Sequence, residues 1–173
     1  RDTFNDRNFE IIVNDKDVYN RIISYEESFS YGLKGKIILN KNFSIDNNTN
    51  IQMDIKEALE RRVNLKSGGY IVIDETEALT AIDVNTGKFI GSHTLDDTVL
   101  KTNLEAAVEI ARQIRLRDIG GIIIVDFIDM KINEHISHVL SKMSEEFNKD
   151  RNKPHIIDVT KLFLVEITRK KIR

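Results

Sequence analysis

Asp83 and Asp126 are the residues in this sequence whose type and setting can do chemistry. Each lies toward the C-terminal end of an otherwise apolar run, ALTAIDVN (78–85) in one case and IIIVDFID (122–129) in the other. A carboxylate in such a run must be solvated, paired or metal-bound, because burying it bare is costly. Two carboxylates brought together repel, and one takes up a proton unless a cation sits between them. Hard oxygen donors suit Mg²⁺, which keeps several of its waters and often binds through only one or two carboxylates. Asn85 lies two residues after Asp83 and so shares its strand face. There it can donate an amide hydrogen bond that orients Asp83. The same spacing also fits two ordinary strand-end aspartates, one capping a turn and one paired with an arginine. Two aspartates alone do not decide between these readings.

The elements that must position them are legible from periodicity. SGGYIVID (67–74) reads as a Gly-led apolar strand, and ALTAIDVN follows the acidic DETE turn, so the two form a hairpin. After a loop over 86–95, a long helix runs from about Asp96 to Asp118 with an inward stripe of Leu100, Leu104, Ala107, Ala111 and Ile114. Gly120 and Gly121 stop it. IIIVDFID has the pattern of a strand buried on both faces. A second helix spans about 131–148 with Ile132, Ile136, Val139, Leu140 and Met143 inward, and HIID (155–158) and LFLVEIT (162–168) close the chain as strands. A strand–helix–strand unit usually makes a right-handed crossover between parallel strands. That would bring both aspartates to one carboxyl edge of a sheet, where ligands bind in open α/β folds.

The first third of the chain is different in character. FEIIV (9–13) and GKIILN (35–40) are strand-like, DVYNRIISYEESF (17–29) is a helix capped by Asp17, and MDIKEALERRV (53–63) is a second helix. KNFSIDNNTN (41–50) is a loop. Composition shifts near residue 65, the one candidate boundary. The alternation of strands and helices predicts an α/β fold, with α+β as the alternative, built on a mixed sheet with flanking helices.

With 173 residues, 40% of them hydrophobic and 31% charged, the chain is long enough for a sizeable core and globular in composition. No run approaches the roughly 18 apolar residues of a membrane span. There is no Cys, hence no disulfide and no Cys-based zinc site, and a cytoplasmic location is expected. The net charge of −2 does not mark a nucleic-acid binder, although a bound cation would offset some acidity, and basic residues cluster at Arg112, Arg115 and Arg117 and at TRKKIR (168–173). No GxxxxGK[ST] phosphate loop or GxSxG elbow is present.

Longer strings sharpen this picture. SGGYIVIDETEALTAIDVN (67–85) and TNLEAAVEIARQIRLRDIGGIIIVDFIDM (102–130) resemble the two signatures of the ribonuclease E/G family that lead into its catalytic aspartates. The similarity extends more loosely through DRNKPHIIDVTKLFLVEITRKK, so that about two-thirds of the chain is covered firmly. The resemblance implies that the family's magnesium-binding aspartates fall on Asp83 and Asp126 and its supporting asparagine on Asn85. It implies an endoribonuclease acting on single-stranded, A/U-rich RNA, leaving a 5′-phosphate and a 3′-hydroxyl, with Mg²⁺ as cofactor and Mn²⁺ as an alternative ion. It divides the chain into part of an RNase-H-like segment (1–66) and a deoxyribonuclease-I-like catalytic subdomain (67–173). Lys88, Lys101, Arg112 and Arg115 are candidates for RNA phosphate contacts. His93 is a candidate participant in the loop after Asp83. Asp118 is read as a helix-end residue and Asp129 as a cap.

The sequence departs from the family pattern where parts are missing. It shows no OB-fold RNA-binding domain, no 5′-monophosphate sensor and no Cys-x-x-Cys zinc link between protomers, which is expected of a fragment of a longer protein. Two other functions compete with the endoribonuclease. One is a non-catalytic RNA-binding or scaffold module, and the other is a metal-dependent phosphodiesterase acting on DNA or small phosphoesters.

Overall fold

The computed structural model describes residues 9–29, 32–33, 35–44, 49–87 and 95–171, and the chain divides into two compact units, Arg1–Ile55 and Lys56–Arg173. In the first, β1 (Ile11–Val13) pairs in parallel with β2 (Ile37–Leu39), and α1 (Lys16–Phe29) connects them in sequence. The cap of α1 is Asp15, whose Oδ1 accepts from the Val18 amide at 2.8 Å. Asp17 instead lies in the first turn, where its charge suits the helix dipole.

The helix expected over 53–63 is α2 (Thr49–Ala58), which stops earlier. Residues beyond it form β3 (Arg62–Asn64), whose Arg62 and Asn64 pair with Val72 and Tyr70. The unmet backbone groups of a neighbouring strand outweigh the helix propensity of Glu and Arg here, a tertiary effect that local pattern does not carry. β3 thereby joins the second unit, ahead of the composition change at 65.

That unit holds β4 (Tyr70–Glu75), β5 (Thr80–Asn85), α3 (Leu95–Leu116), β6 (Gly121–Asp126), α4 (Asn133–Phe147), β7 (His155–Val159) and β8 (Leu164–Arg169). One six-stranded sheet runs in the order β3-β4-β5-β6-β8-β7. β5 and β6 are parallel across the α3 crossover, and the other pairs are antiparallel. The predicted mixed α/β architecture is thus what the chain adopts. The β4–β5 turn is tied by Thr76, whose Oγ1 donates to the Leu79 carbonyl at 2.7 Å and accepts from the Leu79 amide at 3.1 Å.

The core lies on one face of the sheet. Ile71, Ile73, Ile82, Val84, Ile123, Val125, Val165 and Ile167 point to it and meet Ala106, Ala107, Ile110 and Ile114 of α3 and Val139, Met143 and Phe147 of α4. Because α3 touches both the sheet and α4, its buried face is wider than the predicted stripe and takes in Ala106 and Ile110, while Leu100 and Leu104 sit at its margin. Ile132 is not inward but is the N-cap residue of α4, 39% exposed.

β6 is not buried on both faces as its apolar run suggested. Ile123 and Val125 are fully buried, whereas Ile122 is 55% exposed and Ile124 half-buried. α3 and α4 cover the side of Ile123 and Val125, and Ile122 and Ile124 share the other side with the exposed aspartates.

The end of α3 is made by Asp118 rather than by the glycines. Asp118 adopts φ 49°, and the Ile119 amide reaches back to the Ile114 carbonyl at 3.0 Å, the six-to-one bond of a Schellman ending. Aspartate tolerates this left-handed conformation better than most side chains. Its carboxylate is further engaged by Arg169 Nη1 at 2.8 Å.

Candidate active site

The parallel β5–β6 register sets Asp83 directly opposite Asp126. Neighbouring strands lie about 4.8 Å apart, so the two carboxylates leave one sheet face side by side. Both alternate with core residues (Ile82 and Val84 on β5, Val125 on β6) and both are exposed. Asn85 shares that face, and its Nδ2 donates to Asp83 Oδ2 at 2.7 Å. The amide therefore fixes one carboxylate oxygen and leaves the other free of it.

Electrostatics make the pair a cation-seeking one. The Asp126 carboxyl is pushed above its ordinary pKa, first by partial desolvation and then by the charges of Asp83 and Asp129. A divalent cation between the two would relieve that repulsion. No group of three or more His, Cys, Asp or Glu is placed to hold a metal among the described residues. The donor set is thus two hard carboxylates, which fits Mg²⁺ with most of its water retained and does not fit a closed nitrogen or sulfur site.

The end of β5 is seated by close backbone packing. A Cβ on Gly69 would stand 2.6 Å from the Asn85 carbonyl oxygen and 2.9 Å from Thr102 Cγ2, and one on Gly87, at φ +66°, would meet the Gly68 oxygen at 2.5 Å. The Ser67 amide donates to Glu105 Oε2 at 2.8 Å. The SGG segment is therefore wedged between the end of β5 and α3, and no larger residue fits at 69 without displacing Asn85.

Asn103 is a buried amide near the candidate site that the sequence reading missed. It is wholly buried on α3, its Nδ2 donates to the Ile128 carbonyl at 2.8 Å, and its Oδ1 accepts from the Ile128 amide at 3.1 Å. One side chain thereby satisfies both backbone groups of a residue two positions after Asp126. The available signal was a polar residue beside the apolar stripe in TNLEAA, since a buried amide must find partners. Asn103→Ala is expected to lower stability by about 1–3 kcal/mol, because it leaves two partly buried backbone groups of Ile128 without their partner. Urea denaturation checks this, and an unchanged midpoint would show that the clamp is dispensable.

The other candidates are dispersed. Lys101, Arg112 and Arg115 are carried by α3, which packs on the opposite face of the sheet from Asp83 and Asp126. Arg112 Nη1 lies 3.1 Å from Glu109 Oε1. Lys88 and His93 lie outside the described residues. Asp129 is exposed in the segment before α4 and does not cap it, since the N-cap residue of α4 (Asn133–Phe147) is Ile132, which makes no side-chain cap bond.

The sequence model of the ribonuclease E/G family matches residues 1–172, and the chain belongs to that family. It is 53% identical over 123 residues to ribonuclease G of Salmonella typhimurium (strain SL1344), covering 71% of this chain and 25% of that protein. It is 42% identical over 165 residues to ribonuclease G of Haemophilus influenzae, covering 95% of this chain and 34% of that protein. Ribonuclease E of Nostoc sp. is 54% identical over 121 residues, 70% of this chain and 18% of the relative. The chain thus spans about a quarter of the length of the Salmonella enzyme. No helix among the described residues is long and apolar enough to cross a membrane.

Proposed function

We propose that this chain is the catalytic core of a Mg²⁺-dependent endoribonuclease that cuts single-stranded, A/U-rich RNA to 5′-phosphate and 3′-hydroxyl ends in cytoplasmic RNA processing and decay. The observation that carries the reading is the pairing of Asp83 with Asp126 across β5 and β6, with Asn85 bonded to Asp83. Substrate preference and end chemistry come from the family resemblance.

In this reading Asp83 and Asp126 hold the ion, and each contributes one negative charge to balance it. When bound, Mg²⁺ supplies Lewis-acid polarisation of the phosphate and an activated water. Asn85 fixes the rotamer of Asp83, so that its free oxygen stays aimed beside Asp126. Both aspartates are exposed, as contact with an RNA strand lying across the pair requires. Mn²⁺ also satisfies the donor set.

The test is incubation of the chain with a 5′-labelled A/U-rich single-stranded RNA in Mg²⁺ and in EDTA. Cutting in Mg²⁺ and none in EDTA supports the reading. Mg²⁺ binding without cutting would favour an RNA-binding scaffold, a reading motivated by the quarter-length match. Equal cutting of DNA would favour a general phosphodiesterase. Asn85→Ala is expected to reduce Mg²⁺ affinity or turnover by about 10–100-fold, the usual cost of losing a partner that orients a metal ligand. Calorimetric Mg²⁺ titration beside the cleavage rate reads this directly, and wild-type values in both would remove Asn85 from the site.

A further inference from the structure

Arg62 on β3 stands out on the sheet face that carries the aspartates. Arg62, Val72, Asp83 and Asp126 are successive cross-strand partners, so Arg62 lies about two strand spacings, ~10 Å, from Asp83. Its guanidinium sits over the Tyr70 ring at 3.7 Å from the centroid. Its Nε also donates to Asn64 Oδ1 at 3.3 Å. Tyr70 is in turn the cross-strand partner of Asn85, the residue that holds Asp83.

Charge makes this arrangement informative. On the same face the strands present Asp74, Asp83, Asp126 and Glu166, and Arg62 is the one Lys or Arg among the described strand residues there. The adjacent Arg61 is neutralised by a two-point pairing with Asp74, Nη2 to Oδ2 at 2.6 Å. Arg62 makes no ion pair among the described residues and is exposed. A guanidinium seated over an aromatic ring on an exposed side chain offers a stacking surface for a nucleobase, while its edges carry donors for phosphate.

We propose that Arg62 and Tyr70 form a nucleotide-binding subsite beside the aspartate pair, in which a base of single-stranded RNA stacks on the Arg62 guanidinium. The proposal rests on the ribonuclease reading above for the nature of the ligand. Tyr70 sets the plane of the guanidinium, Asn64 sets its rotation, and Arg62 is the cation that the described strands of this face offer an RNA strand near Asp83. An arginine that only closed the sheet edge would bind no base.

The test is binding of a labelled eight-nucleotide A/U-rich RNA to the whole chain in EDTA, read by fluorescence anisotropy. An abasic residue is moved along the RNA one position at a time. Aromatic or guanidinium stacking is worth about 1–3 kcal/mol per base, so one abasic position is expected to weaken wild-type binding by about tenfold. That position should have no further effect in Arg62→Ala. Arg62→Lys keeps the charge but not the plane, and is expected to bind as weakly as Arg62→Ala. Tyr70→Leu is expected to lose part of the effect. Unchanged thermal midpoints and Mg²⁺ affinity in the Arg62 variants, measured alongside, would show that neither the fold nor the aspartate pair is disturbed. Wild-type binding by Arg62→Ala, full recovery in Arg62→Lys, equal abasic effects in wild type and variant, or no RNA binding by the wild type would each overturn the proposal. Mg²⁺ binding without base discrimination means that the subsite fails alone. Base discrimination without Mg²⁺ binding means that the nuclease reading fails and the subsite stands.

Discussion

Asp83→Asn and Asp126→Asn should each reduce Mg²⁺-dependent RNA cleavage by about 10²–10³-fold or more, the scale of removing one electrostatic stabiliser of a transition state. Both changes preserve shape and remove one negative charge. In Asp83→Asn the side-chain carbonyl can still accept from Asn85 Nδ2, so the strand end keeps its bond. The metal-free variants should therefore be as stable as the wild type or slightly more so, because a repulsion across β5–β6 has been relieved. Saturating Mg²⁺ should stabilise the wild type through mass action, by about 2.7 kcal/mol at a hundred times the dissociation constant, and so raise its thermal midpoint. It should leave both variants unmoved. The two readouts separate loss of the site from loss of the fold. Variants that still respond to Mg²⁺ while failing to cut would place the ion elsewhere, and variants that cut normally would remove these aspartates from the mechanism.

Arg169→Ala should cost about 3–5 kcal/mol of stability, because it strands a buried carboxylate. Arg169 and Asp150 are each 3% exposed in their side chains, with Nε 2.9 Å from Asp150 Oδ2. The same guanidinium donates from Nη1 to Asp118 Oδ1 and to the Ile119 carbonyl, both at 2.8 Å. It thus joins the end of α3, the turn after α4 and the last residue of β8, behind the strand that carries Asp126. Asp118 is 43% exposed, so Asp118→Ala should cost no more than about 1 kcal/mol. The double variant Arg169→Ala, Asp150→Ala should cost less than the sum of its parts, since neither charge is then left alone. Urea unfolding of the wild type, of the Arg169→Ala, Asp150→Ala and Asp118→Ala variants and of the double variant checks this. Additive losses, or a loss below about 1 kcal/mol for Arg169→Ala, would show that the buried pair is replaceable.

Much of the site is local and was therefore readable. The two-residue spacing of Asp83 and Asn85 follows from strand periodicity, and the amide bond at 2.7 Å is its direct consequence. The parallel pairing of β5 and β6 is what a strand–helix–strand unit usually makes, because the helix carries the chain back to the starting edge. Elements whose fate depended on distant partners were less legible. Residues 62–64 carry helix-compatible side chains but become β3 because β4 offers a ladder. Asp15 caps α1 in place of Asp17, a choice made by where the first turn begins. Asn103 looks like one more polar position on a helix until Ile128 is folded against it.

The sequence by itself determined the chemistry available: two carboxylates and an amide in apolar strands, no thiols, and strings shared with one ribonuclease family. Side-chain identity and short-range periodicity are properties of the chain before it folds. Tertiary structure decided the register that sets Asp83 opposite Asp126, the insertion of β8 between β6 and β7, and the placement of both helices on one face. A strand can slip by two residues and keep the same face buried, so only the summed packing of the sheet against α3 and α4 selects the register. That selection sets two aspartates far apart in sequence side by side and brings Arg62 and Tyr70 onto the same face.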